Sequence, residues 1–185
     1  MRVEKWLDGI FRGEHEAAKR YMALGARELP IVAMAVVDAA LAELLGRRLL
    51  NDATERNSFL GATGDGRAPA ASVGAKIQLA YLTGLLRKED VQVLRILKRI
   101  RNMLAHKVAL DFRSPVIIKE LIALEQAWVL VFAPTNSSYQ PLFPEVGQDE
   151  EVGRLVIMAV ALYYEIRFRD RIEKIQALEY LKDSA

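Results

Sequence analysis

The sequence predicts an all-α fold, a helical bundle of about five to seven helices with no sheet. Three observations carry that expectation. Apolar residues recur at spacings of three and four in most segments, and no segment sustains the period-two alternation of β-branched residues that a strand requires. The interruptions fall at Gly, Pro and polar clusters, where helices stop. At 185 residues the chain is long enough to bury a core without cross-links, so one domain over 1–185 is expected.

A first amphipathic helix is expected from about Val3 to Ala23, with a break near Gly9 or Gly13. "ARELPIVAMAVVDAALAELLGRRLL" opens the next, with Pro30 acceptable in a first turn. Its nearly all-round apolar surface predicts the most buried helix of the fold. Residues 51–57 are polar, and "GATGDGRAPAAS" (61–72) reads as a mobile loop. Gly61 and Gly66 have the spacing of a phosphate-binding loop, but Arg67-Ala68 stands where Lys-Ser/Thr is required and no strand precedes it, which excludes that reading.

Ser72 is a helix cap for residues 73–86, in which Ile77, Leu79, Ala80, Leu82 and Leu86 are expected to pack inward. "KEDVQVLRILKRIRNMLAH" follows after a short turn, and Val93, Leu97, Ile100 and Leu104 form a stripe along it. The two helices should make an antiparallel hairpin at the centre of the bundle. Ser114-Pro115 caps and opens a helix through about Leu130. "APTNSSYQPLFPEVGQ" (133–148), with three prolines and no periodicity, is a long connection of the kind that packs as a flap. A final helix over about 149–182 starts at Asp149, Glu150 and Glu151, acidic residues suited to the positive end of a helix dipole. Tyr81 and Trp128 are expected in the core, and His15, between Glu14 and Glu16, on the surface.

Composition excludes several chemistries. Cys is absent, which removes disulfides, thiolate zinc sites and a cysteine nucleophile, and His15 and His106 alone are too few for a histidine-rich metal site. No cofactor or metal is expected. Charges at Arg2, Glu4, Lys5, Asp8 and Arg12 break the apolar run a secretory signal needs. Of the most apolar segments, 29–45 contains Asp38 and Glu43, and 155–164 is too short to span the bilayer's roughly 30 Å hydrocarbon layer. Both read as core helices, and the chain as a cytoplasmic protein with no membrane partner.

Charge nearly cancels over the chain, with 26 basic and 24 acidic residues, but not locally. Arg87, Lys88, Arg95, Lys98, Arg99, Arg101 and Lys107 face only Glu89 and Asp90 within 87–107, so any attraction for nucleic-acid phosphate should centre there. The run ends in "RIRNMLAHKVALDF" (99–112), whose residue types suggest chemistry. On a straight helix Asn102 and His106 share a face with Arg99, whereas Arg101 is offset from His106 by about 140°. His106 has two readings, a donor for loose carbonyls at a helix end or a group directed at phosphate. Asp38 interrupts an apolar face, and its burial would demand a cation, with Lys76, Arg99 and Arg101 as candidates for an ionic brace.

The stretch "SVGAKIQLAYLTGLLRKEDVQVLRILKRIRNMLAHKVALDF" resembles the pattern of the mannitol operon repressor (MltR) family, in which a "KIxLAY…GL" helix precedes one ending "IRNxxAH". The upstream "VVDAALAELL", with Asp38 inside it, is similar to that family's apolar helix. The resemblance covers about residues 28–118. It implies an MltR-like helical bundle and a regulator of sugar-alcohol uptake acting through a protein partner or a basic surface, and the chain is expected to form a homodimer. Arg101, Asn102 and His106 also resemble the motif of the wider HEPN group, an Arg, a polar residue, three of any type and a His. That resemblance implies an alternative, a metal-independent ribonuclease, toxin-like in kind. There His106 would serve as acid or base and Arg101 would stabilise the phosphate, with Asn102, Arg99, Lys76 and Asp38 in binding or support.

Overall fold

The computed structural model describes residues 15–49, 52–61, 66–132, 146 and 149–183, and among them the fold is all-helical. Seven helices follow one another there: α1 (His15–Met22), α2 (Glu28–Gly46), α3 (Ala53–Leu60), α4 (Val73–Leu82), α5 (Lys88–His106), α6 (Pro115–Phe132) and α7 (Glu150–Asp183). No strand occurs among the described residues, only an isolated bridge between Val146 and Asp149. The expected helical stretch before residue 15 and nearly all of the 133–148 connection lie outside the described residues, as does the side chain of His15.

The longest continuously buried run lies in α7 rather than in α2. Every residue from Val156 to Leu162 is buried, so this segment is covered on all sides. The α2 helix buries Leu29, Ala33, Val37, Leu41 and Leu44 completely, a spacing of about four that forms one face, but leaves Ile31 and Val32 exposed on another. It is the one described helix long and apolar enough to cross a membrane. Here it packs lengthwise on α7, and its composition serves the core.

Helix α5 presents the expected stripe inward, with Val93, Leu97, Ile100 and Leu104 all essentially inaccessible. Contacts along the chain fix directions. Asp90 meets Tyr164 and Arg167, while Phe112 meets Gly153, so α7 runs antiparallel to α5. Leu121 also meets Gly153, and Trp128 meets Tyr163, so α6 runs alongside α7 in the same sense. Arg154 ties α1 to the start of α7 through the Met22 and Leu24 carbonyls, and the Tyr21 hydroxyl donates to Glu165 at 3.1 Å.

The α4–α5 hairpin is antiparallel, as Arg95 reaches Gln78 and Lys98 lies against Gly74, and α5 packs chiefly on α6 and also on α2, while α7 packs chiefly on α2. Ser72 caps α4, its hydroxyl accepting from the Ala75 N–H at 3.1 Å. The helix ends at Leu82, short of the expected 86, because Gly84 turns the chain with φ of 71°, a left-handed conformation in which glycine has no steric penalty. Leu82 consequently points outward, 71% exposed, and Tyr81 is exposed too, whereas Ile77, Ala80 and Leu86 are buried.

The short α3 was absent from the sequence reading, which took 51–57 as merely polar. Asp52 accepts from the Thr54 and Glu55 N–H groups, and Gly61 closes the helix in the left-handed conformation with φ of 74°. Caps at both ends make a helix of a segment with no apolar face. Before α6 the Ser114 hydroxyl turns back on Asp111, accepting its N–H and donating to its carboxylate, rather than onto the first turn.

Gly153 lets α7 approach closely. A Cβ there would lie 2.9 Å from Leu121 Cδ1 and 3.0 Å from Phe112 Cδ1, so the absence of a side chain sets the packing distance. Gly153→Ala is expected to cost about 1–3 kcal/mol through overpacking. Gly66→Ala, with nothing within 4 Å, is the matched control. Urea unfolding of both variants checks this, and an unchanged midpoint for Gly153→Ala would contradict the packing described.

Candidate functional site

The polar end of α5 is built by the helix continuing unbroken to His106, with the chain turning extended at Lys107. Intact helix keeps Asn102 and His106 on one face and Arg101 off it. Arg101 compensates by lying along its neighbour: its Nη1 donates to the Asn102 Oδ1 at 2.9 Å. Both side chains are half-buried, and the Arg101 Nε–H is enclosed without a hydrogen-bond partner among the described residues. The bond occupies the Asn102 oxygen and leaves its amide hydrogens as donors.

His106 is exposed and makes no hydrogen bond within the described residues. The nearby Met103 carbonyl is met by the backbone N–H of Lys107 at 3.0 Å, so the imidazole does not serve as the donor for it. Lys107 is exposed, and Val108, 79% exposed, continues the edge. The result is a cationic edge with free donors and an apolar neighbour. Chemically it can offer hydrogen bonds to an oxyanion.

The rest of the basic run is largely committed to structure. Arg99 directs Nε and Nη2 to one Glu120 oxygen at 3.1 and 2.8 Å, fastening α5 to α6. An exposed pair of this kind is worth about 0–1 kcal/mol, yet the carboxylate cancels the charge that Arg99 would show to a phosphate. Arg95 bonds Gln78 at 2.8 Å, and Arg87 bonds the Val131 carbonyl at 3.1 Å. The seven-cation face read from the sequence therefore contracts toward Lys98, Arg101 and Lys107, with Lys88 at the far end.

Asp38 and Lys76 stand apart from this edge, between α2 and α4. Lys76 Nζ reaches both Asp38 carboxylate oxygens at 3.0 Å and the Ala71 carbonyl at 3.5 Å. Lys76, and neither Arg99 nor Arg101, is thus the partner of Asp38. Lys76 is only 6% exposed, and burial is sustainable because its charge and its hydrogens are matched.

The strongest electrostatic cluster in the fold was missed in the sequence, where Asp90 counted only as an offset to the basic run. Its carboxylate is fully buried. Arg167 grips both oxygens, one through Nη1 and the other through Nη2 at 3.2 Å, while the Tyr164 hydroxyl donates at 3.1 Å and the Arg87 N–H at 2.9 Å. Arg167 also lies over the Tyr163 ring, 5.7 Å from its centroid, and Arg171 bonds the Leu85 carbonyl. Burial alone would raise the Asp90 carboxyl, but the Arg167 and Arg87 bonds and both guanidinium charges outweigh it and hold the group below its ordinary 3.8. Burial, then the Asp90 charge, pushes Tyr164 well above the usual phenol range. One signal was available: Asp90 is the third residue of its helix, where a carboxylate reaches back to the preceding N–H.

No group of three or more His, Asp or Glu side chains placed to hold a metal occurs among the described residues. No family model, curated protein or solved structure matches the chain.

Proposed function

We propose that the chain is a cytoplasmic, dimeric regulatory protein of the mannitol-repressor kind, working through contacts made at the α5–α6 edge. The observation that carries this reading is the combination of cationic and apolar exposure there. His106 and Lys107 are exposed beside Val108, 79% exposed, and Val116, 44% exposed. An apolar centre with a cationic rim suits a protein interface better than a broad phosphate-binding face. The neutralisation of Arg99 by Glu120 favours the same side, because it removes one of the cations that nucleic-acid binding would use. Sugar-alcohol uptake as the regulated process rests on the sequence resemblance alone.

A second reading has its own support. Arg101 bonded to Asn102, with His106 unencumbered one turn on, is a donor set compatible with metal-independent RNA cleavage. Incubation of the purified protein with single-stranded and structured RNA in EDTA separates the two. The regulatory reading expects intact RNA, a dimer by light scattering, and loss of that dimer in Val108→Glu. Products with 2′,3′-cyclic phosphate ends, lost in His106→Ala, would establish the ribonuclease in its place. Because His106 is exposed and makes no bond, His106→Ala is expected to shift stability by less than about 0.5 kcal/mol, which a thermal melt checks.

A further inference from the structure

A cavity of about 450 Å³ lies between the end of α2, the α3 helix and the start of α4. Its size is within the range of about 300–1,000 Å³ typical of small-molecule sites. Glu43, Gly46, Arg47, Arg56, Asn57 and Lys76 contribute to the wall. Lys76 in this lining is 6% exposed and neutralised by Asp38. The two arginines of the same lining are far from saturated. Arg56 makes one long bond, from Nη1 to the Gly46 carbonyl at 3.4 Å, although a guanidinium carries five N–H donors. Arg47 has only a 4.0 Å contact to the half-exposed Glu43, and the Asn57 side chain makes no hydrogen bond among the described residues.

The position of Arg56 is set by a glycine. A Cβ on Gly46 would lie 3.3 Å from Arg56 Cδ and 3.5 Å from Nε, so the missing side chain is the space through which the arginine stem passes. The wall therefore holds an excess of donors, two guanidinium charges and a single exposed carboxylate. The complement to such a surface is small, rich in acceptor oxygens and negative.

We propose that this cavity binds a small oxyanion, a carboxylate or phosphate group held by Arg56 and Arg47 with Asn57 as a further donor. The site is separate from the α5–α6 edge and does not depend on the function proposed there.

Calorimetric titration of the full chain with inorganic phosphate and, in parallel, with citrate tests the assignment, at constant ionic strength set with chloride. Saturable binding of one or both is expected, and which arm responds identifies the head group. Arg56→Gln should weaken it at least tenfold. Gly46→Ala should weaken it with every charge retained, and Arg113→Gln, on the α5–α6 connection, should leave it unchanged. Should Arg56→Gln fail to fold, Arg47→Gln and Gly46→Ala carry the same test. No saturable binding of either anion at millimolar concentration, or equal weakening by Arg113→Gln, would overturn the proposal.

Discussion

Asp90→Ala should lower the stability of the fold by about 3–5 kcal/mol, because it strands the Arg167 guanidinium in a site only 17% exposed. For a chain of this length that corresponds to a fall in melting temperature of roughly 6–20 °C. The loss exceeds that of an exposed pair such as Arg99–Glu120, since the stranded guanidinium is mostly buried whereas Arg99 is 55% exposed. The double variant Asp90→Leu with Arg167→Met, which removes both charges, should melt above either single variant. A melt for Asp90→Ala close to wild type would show that the cluster contributes little. The same pair makes stability pH-dependent. Asp90 binds its proton less readily in the fold than in the unfolded chain, so its contribution is complete above its ordinary 3.8 and is lost as pH falls through the lower folded value. The difference between wild type and Asp90→Asn should accordingly narrow in acid.

Trp128→Ala should cost about 3–5 kcal/mol, the usual penalty for removing a large aromatic from a packed interior. The indole is completely buried, and its ring meets Tyr163 edge-on at 6.1 Å between centroids. That contact joins α6 to α7 beside the Asp90 cluster, so the cavity would open where the ion network needs its walls held. Trp128→Phe, which keeps a ring, should lose less. Chemical unfolding of both variants measures the difference, and equal midpoints would mean that the site collapses without penalty.

Local rules made much of the fold legible. The stripe of Val93, Leu97, Ile100 and Leu104 and the cap at Ser72 appear where spacing and residue type put them. The need of Asp38 for a cation was also readable, because an acid on an apolar face raises the question of what neutralises it. What escaped depends on distance along the chain. Nothing near Asp90 announces Arg167, 77 residues later, so a buried anchor looked like one more surface charge. The α3 helix escaped for a different reason, its two caps outweighing the lack of any periodic apolar pattern. At the candidate site the residue types and their shared helical face were legible. The pairing of Arg101 with Asn102 and the diversion of Arg99 to Glu120 required the folded chain.

The complete burial of 156–162 bears on how the protein is made. On the ribosome, α1 to α6 emerge before the segment that fills the space between them. Until α7 follows, the face of α2 that packs on it lacks its principal partner and is open to water and to other nascent chains. Synthesis halted before Val156 should therefore yield a species that chaperones hold, and release of the last helix should be the step at which the chain becomes resistant to proteases.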